Sequence, residues 1–378
     1  MRERRHGPGE ADSLVFGAVS FKVGGFYPMA KAKTTTLPKD FELLLEKGTL
    51  AELKAVFEVC ELDDRGGYGK QTALAFDKCP DDLGRWLVAQ GADLSATDTW
   101  GNTPLHHRAR SRRSSIDVLL ELGADVNSAS SSIGTPLHAA ADSHNATHAQ
   151  LLLQHGAPVN EANKAQLTPL ELALRGCNNT DIENTVLLAK VLLDAGAKKT
   201  PRMKGFVEEI GKRFEFHRSG FNLKSVDAVS DALGELYGIF DVSPVLRRQI
   251  HDGNSPVTVK TKTWQAQHQE LWNLLVPSQG PAATVQGEVI RISGRIANEL
   301  DDNGGGNWDA DYKKTADAFL EHVQGGKPLD PPDLAEVAAI AAAVKSRTGD
   351  TARMAELAVK WVMQNPDPVK LESPSYRR

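Results

Sequence analysis

An all-α fold, a helical-repeat solenoid followed by a second helical unit, is expected from three observations. First, Thr103-Pro104-Leu105-His106 recurs as Thr135-Pro136-Leu137-His138 and as Thr168-Pro169-Leu170-Glu171. Second, each copy is followed by a Gly-Ala pair, at Gly123-Ala124, Gly156-Ala157 and Gly196-Ala197. Third, apolar residues beyond Thr200 fall three and four apart between Gly, Pro and Asn breaks, the period of amphipathic helices. A degenerate earlier copy, Thr72-Ala73-Leu74-Ala75 with Gly91-Ala92, extends the series.

The chain opens with a basic stretch and a short mixed apolar run over residues 1–28. Lys22 and several glycines interrupt that run, and no small-residue cleavage site follows it, which argues against a signal peptide. Met29 begins a more ordinary leader, so translation is expected to start there, with residues 1–36 disordered. Phe41–Leu45 and Leu50–Phe57 then predict a helix pair without the Thr-Pro-Leu signature.

The repeating unit reads residue by residue. Thr103 is placed to cap a helix through its hydroxyl, and Pro104 at the first helical position gives up an N–H that has no partner there. Leu105 enters the core. Ser114-Ser115-Ile116-Asp117 opens a second helix as a capping box, with Ile116, Leu119 and Leu120 on one face. Gly123 supplies the left-handed stop. The same grammar returns with Leu83, Trp86 and Leu87 before Gly91, Leu151, Leu152 and Leu153 before Gly156, and Leu188, Val191 and Leu192 before Gly196.

Over residues 37–200 these features resemble the ankyrin repeat, whose period is about 33 residues. The resemblance implies a cap plus about four repeats, a structural role for His106 in bonding the neighbouring loop, and the binding of a protein partner. It places the contact surface on the hairpin tips and on the exposed side of each first helix. The tips then offer Tyr68, Trp100, Asn102, Ile133 and Lys164; the first helices offer His107, Arg110, Asp142, Glu171 and Arg175. Tyr, Trp and Arg dominate interface energetics, which singles out Trp100 and Arg110. The sequence departs from the pattern in two places. The tip glycine is present as Gly101, displaced to Gly134 and replaced by Gln166, and an insertion over 176–184 separates the helices of the last repeat.

Two denser clusters have structural alternatives. Arg108-Ala109-Arg110-Ser111-Arg112-Arg113 has the composition of a nuclear-import or nucleic-acid patch. It also lies where a first helix ends, where cations complement the helix dipole. His138, His144, His148 and His155 crowd one repeat, but no cysteine or carboxylate pattern completes a tetrahedral metal set. No metal and no cofactor are expected.

Bulk composition bounds the function. A formal charge of -5 over 378 residues gives no reason to expect a nucleic-acid partner. Cys60, Cys79 and Cys177 are odd in number and widely spaced, the pattern of reduced thiols in the cytoplasm. No apolar run reaches the roughly 20 residues of a membrane span.

Residues 201–364 are expected to form a separate α-helical domain, and 365–378 a disordered tail. Phe206, Ile210 and Phe214 mark one helix face, and Val226, Val229, Leu233, Leu236 and Phe240 the next. Ser243–Lys262 reads as a linker, although Val257–Lys260 alternates like an edge strand. Trp264, His268 and Trp272 share a face, which is the inward period of a helix and the outline of a pocket alike. Val285, Val289, Ile292 and Ile296 face inward, whereas Glu288, Arg291, Arg295 and Glu299 form a ladder that is ordinarily solvated. Asp301–Asp309 has the look of a calcium loop, but Tyr312 stands where a bidentate Glu belongs. A glycine break followed by an Asn307 or Asp309 cap accounts for it. The last unit, from Leu334 to Val344 and from Met354 to Trp361, reads as an α-hairpin with Asp350 capping its second helix.

No nucleophile elbow, P-loop, HExxH or dinucleotide glycine pattern occurs, so no enzyme is expected. The leading expectation is an adaptor or inhibitor that holds a protein partner on the concave face of the stack. The alternatives are an enzyme or small-molecule sensor in 201–364, with the repeats as a targeting arm, and an immunity-type inhibitor of a toxin. Neither the partner's identity nor the oligomeric state follows from the sequence.

Overall fold

A computed structural model describes residues 34–377. The expected start at Met29 and most of the leader lie outside the described residues. Thr34–Thr36, placed in the leader by the sequence, form strand β1.

The chain begins with α1 (Phe41–Lys47) and α2 (Leu50–Val59), joined through a capping box in which Thr49 and Glu52 exchange hydrogen bonds. Strands β2 (Cys60–Gly66) and β3 (Gln71–Thr72) follow. β1 pairs parallel to β2, and β2 antiparallel to β3, making a small sheet in an otherwise helical chain. The hairpin between β2 and β3 carries Tyr68 at its turn. A 3-10 turn at Ala73–Ala75 and α3 (Asp81–Ala89) complete the first unit.

Helix pairs then repeat: α4 (Pro104–Arg110) with α5 (Asp117–Glu121), α6 (Pro136–Asp142) with α7 (Ala146–Gln154), and α8 (Pro169–Gly176) with α9 (Ile182–Asp194). Thr103, Thr135 and Thr168 are extended N-caps with proline next in line, as the motif demands. The closing glycines Gly91, Gly123, Gly156 and Gly196 have φ of 103°, 88°, 86° and 90°, the left-handed stop that only glycine adopts without strain. One local expectation fails. Ser114–Asp117 forms no capping box; α5 starts at Asp117, whose N–H is met by Ser115 Oγ at 3.1 Å.

First helices pack in one row, α4 on α6, α6 on α8 and α8 on α10 (Pro201–His217). Second helices pack in another, α7 on α9 and α9 on α11 (Leu223–Phe240). A single buried cluster therefore runs from Leu37 to Phe240 and includes Val207, Ile210, Phe214 and Leu233. The boundary expected at residue 200 falls inside this core: α10 and α11 are a further pair on the stack. Thr200-Pro201 opens α10 in the way the three earlier Thr-Pro pairs open theirs.

A second buried cluster runs from Val257 to Tyr376. It joins α12 (Trp264–Leu275), α13 (Val285–Ala297), α14 (Ala310–Gln324), α15 (Pro331–Val344) and α16 (Thr351–Gln364). Helix α13 is the centre, touching α12, α14 and α16. A Cβ at Gly294 would stand 2.4 Å from the Trp272 ring, so only glycine lets α12 cross so closely. Asp350 caps α16 by accepting from Arg353 N–H at 2.8 Å, closing the expected α-hairpin. Val257–Lys260 joins no sheet, and Val257 N–H donates to Pro366 O at 2.7 Å.

The tail expected to be disordered is instead fixed along α13. Thr284 bridges to Lys370, Val285 N–H donates to Val369 O (2.8 Å), and Gln286 bonds Asn365 O, Asp367 O and Val369 N–H. Among the described residues no helix is long and apolar enough to cross a membrane.

Candidate functional site

Two of the tips are each built around one polar side chain. Asp98 Oδ1 accepts from the N–H groups of Trp100 (2.8 Å) and Asn102 (2.7 Å), and Oδ2 accepts from Asn102 Nδ2 and His107 Nε2, both at 2.9 Å. Burial pushes the Asp98 carboxyl up, but these bonds outweigh it and hold the group below its usual value. Asn163 does the same two tips on, accepting from Ala165 N–H and Leu167 N–H.

Adjacent tips are also tied to one another. Thr99 N–H donates to Gly69 O (3.2 Å), Ser130 Oγ to Gly101 O (2.7 Å) and Asn163 Nδ2 to Ile133 O (2.9 Å). Arg202 Nη1 reaches Gln166 O (3.1 Å), so the row continues onto α10. Beneath it runs a second zipper. His106 Nε2 bonds Gly134 O (2.9 Å), His138 Nε2 bonds Leu167 O (3.1 Å), and Thr200 Oγ1 donates to Glu171 Oε1 (2.7 Å). The structural role implied for His106 is what the geometry displays.

The candidate contacts separate on this frame. Tyr68 is 95% exposed and Trp100 49% exposed, with ring centroids 5.8 Å apart and planes 33° apart. Two large aromatics from neighbouring tips thus form one exposed platform. Trp100 is held underneath by Gly69, where any Cβ would stand 2.7 Å from its ring. Lys164 and Arg175 are exposed, and Arg110 is exposed in an ion pair with half-buried Asp142.

Four positions serve the stack instead. Asn102 is held between Asp98 and Ser131 Oγ (2.6 Å), and His107 is bonded to Asp98. Ile133 packs partly buried on the core. Glu171, expected on an exposed face, is buried, capping Thr168 N–H (3.1 Å) and accepting from Thr200. A carboxylate in the third place after the Thr cap turns inward to close a capping box.

The arginine cluster is largely inter-repeat mortar. Arg108 is buried and donates to three carbonyls, of Leu74 (2.9 Å), Cys79 (3.0 Å) and Ser115 (3.3 Å). Arg112 donates to Ser143 O, closing the C-terminal end of α6. The histidines behave alike: His144 Nε2 bonds Ala173 O (3.0 Å) and His148 Nδ1 bonds Ala109 O (3.1 Å). Arg213, to which the sequence assigned no role, donates to Cys177 O (2.7 Å). It stands 13 residues after Thr200, whereas Arg112 stands 9 after Thr103, so no repeat spacing marked it in the sequence.

In the second unit the ladder on α13 is not solvated. Glu288, Arg291 and Glu299 are buried. Glu288 takes a bidentate pair from Arg291 (2.8 and 2.6 Å), the N–H of Ala282 (2.8 Å) and the hydroxyl of Tyr376 (2.8 Å). Glu299 gathers Asn303 and Asn307 and so folds the glycine-rich loop, while Asp309 caps α14. His268 stacks on Trp272 and bonds Ser293 Oγ (2.9 Å), and burial lowers its pKa to about 4. Every one of these groups has its partner inside the protein. Between the units, α10, α12 and the segment 245–260 enclose a cleft of about 1140 Å³, across which Arg248 stacks on Phe216 and bonds Trp272 O (3.0 Å).

Residues 71–163 match the family model described as Ankyrin repeats (3 copies). This segment of the chain is therefore an ankyrin-repeat array, and such repeats are generally protein–protein interaction modules. No curated protein matches the chain as a relative.

Proposed function

We propose, taking the ankyrin repeats at residues 71–163 as premise, that the chain is an adaptor or inhibitor that holds a protein partner on its tip row and first-helix face. The observation that carries the reading is the Tyr68–Trp100 platform. Exposing two adjoining aromatics from adjacent tips costs apolar burial, and neither ring contributes to the core. Large, rigid, half-polar rings are the side chains that anchor interfaces.

The braced geometry supports recognition without reorganisation, since a surface fixed before binding loses little entropy on docking. Arg110, Lys164 and Arg175 extend the same surface along the stack. Adaptor and inhibitor differ only in what the partner does once held.

The reading is tested by affinity capture from native extract with the full chain and with Tyr68→Ala/Trp100→Ala, the captured proteins being identified by mass spectrometry. A protein retained by the parent and lost with the double variant, while the variant keeps the parent's unfolding midpoint, supports it. A specific partner held equally by both removes the platform from the function.

A further inference from the structure

The two faces of the stack differ in their unmatched charge. On the second-helix row α3 opens with exposed Asp81 and Asp82, α5 runs from Asp117 to Glu121, and α11 exposes Asp227, Asp231 and Glu235. Among the described side chains of α3, α5, α7, α9 and α11, the cations Arg85 and Lys190 are tied to Glu121 and Glu235 in ion pairs. On the tips and the first helices α4, α6 and α8 the balance tilts the other way. Lys70, Lys164 and Arg175 are exposed there and have no carboxylate partner among the described residues. Of the acids there, Asp142 is matched by Arg110, and exposed Glu161 stands against the three cations.

This polarity belongs to a chain whose formal charge is -5. Neutral surfaces need no such segregation, and the fold does not require it, because none of Lys70, Lys164 and Arg175 supports a neighbour through its charged end. Separated fields of this kind steer approach and reject partners of the wrong sign. We infer that the face takes an acidic protein segment, one that sets an apolar or aromatic side chain on the Tyr68–Trp100 platform and aligns carboxylates with Lys70, Lys164 and Arg175. The inference rests on the protein-binding reading above and adds the chemistry of the partner. A protein segment fits better than a nucleic acid because the unmatched cations are few and stand among carboxylates and aromatics, whereas phosphate backbones are met by dense cationic stripes.

The test uses the full chain and fluorescence anisotropy with three pools of labelled peptides about 12 residues long. All share Leu and Phe at a fixed frequency and differ in the remaining positions: Asp/Glu, Lys/Arg or Ser/Gln. The acidic pool is expected to bind about tenfold more tightly than the Ser/Gln pool at about 50 mM NaCl, and to lose most of that preference by about 300 mM. Lys164→Glu/Arg175→Glu should abolish the preference while far-UV dichroism and the urea midpoint stay those of the parent.

Equal binding of acidic and basic pools, no binding of the acidic pool at about 1 mM, or a preference that survives the charge reversal overturns the inference. So does a single-stranded oligonucleotide of equal length that displaces the acidic pool. The two readings fail separately. If Trp100→Ala weakens every pool and the acidic pool shows no preference, the binding face stands and the acidic partner falls. If charge reversal removes binding that Trp100→Ala leaves intact, the acidic partner stands and the aromatic anchor falls.

Discussion

The hydroxyl of Tyr376 donates to Glu288 Oε1 at 2.8 Å, joining the C-terminal segment to the first turn of α13. Glu288 is also paired with Arg291, and both are all but inaccessible to solvent. A buried pair tolerates neither the loss of a partner nor the loss of its cover. Tyr376→Phe is therefore expected to cost about 1–3 kcal/mol, as for a buried acceptor left short of one donor. Arg291→Met, which strands the carboxylate, should cost about 3–5 kcal/mol. Urea unfolding checks both, and equal small losses would mean that water reaches Glu288.

Acid should loosen the molecule before its carboxylates titrate. In His106, Nδ1 accepts from Thr103 N–H (3.2 Å) while Nε2 donates to Gly134 O, an arrangement only the neutral ring can make. Burial lowers the pKa of His106 and of His138, and brings His268 to about 4. The unfolded chain, with ordinary histidines near 6.5, then binds more protons than the native state. The stability these rings contribute is present in full above about pH 6.5 and is lost as pH falls toward their folded values. Unfolding midpoints measured from pH 7.5 to 4 should fall steadily below about 6.5, and His268→Gln should flatten the part of the profile between about 4 and 6.5.

How much of this was open to a reader of the sequence depends on distance along the chain. Thr103-Pro104 and its copies state a local geometry, and their caps and left-handed stops are where the residues place them. A fourth Thr-Pro, at the fifth Thr of the series, was present too. Thr72, Thr103, Thr135, Thr168 and Thr200 lie 31, 32, 33 and 32 residues apart. Arg202 and Met203 in place of the motif's Leu and His hid the last copy, so the stack was cut one helix pair short. The Glu288–Arg291 spacing was legible as a ladder, but its burial was not. What covers it is a polar, proline-containing tail about 80 residues downstream, and periodicity says nothing about contacts at that range. Of the candidate contact residues, Glu171 could face outward or turn inward under the motif, because the third place after the cap serves either purpose.

The tips offer a comparison between two residues in equivalent conformations. Gly101 has φ +83° and Gln166 has φ +56°, each in the left-handed region. A Cβ at Gly101 would stand 2.4 Å from Ser130 O. Gly101→Ala combines strain with a backbone clash and should cost more than about 2 kcal/mol. Gln166→Gly relieves strain at the price of a looser unfolded chain, so a gain of less than about 1 kcal/mol is expected. Urea midpoints of the two variants, moving in opposite directions, are the measurement. A Gln166→Gly variant less stable than the parent would mean that the glutamine side chain braces the tip.

The exposed platform and the scaffold are separable within six residues. Trp100 is half exposed and stands over Gly69, whereas His106 is buried and links two repeats. Removing the indole should change stability by roughly 0.5–1 kcal/mol, the range of a surface side chain that packs on one face only. His106→Ala removes a bond across the repeat interface, leaves Gly134 O and Thr103 N–H without their partner and opens a cavity, so a loss of about 2–4 kcal/mol is expected. Native-state hydrogen exchange distinguishes the two with one measurement each. Trp100→Ala should leave protection in α4 and α6 unchanged, and His106→Ala should lower it in both, because opening that interface exposes the helices on either side. Equal loss of protection would place Trp100 in the frame of the stack, and the platform would then owe its shape to folding alone.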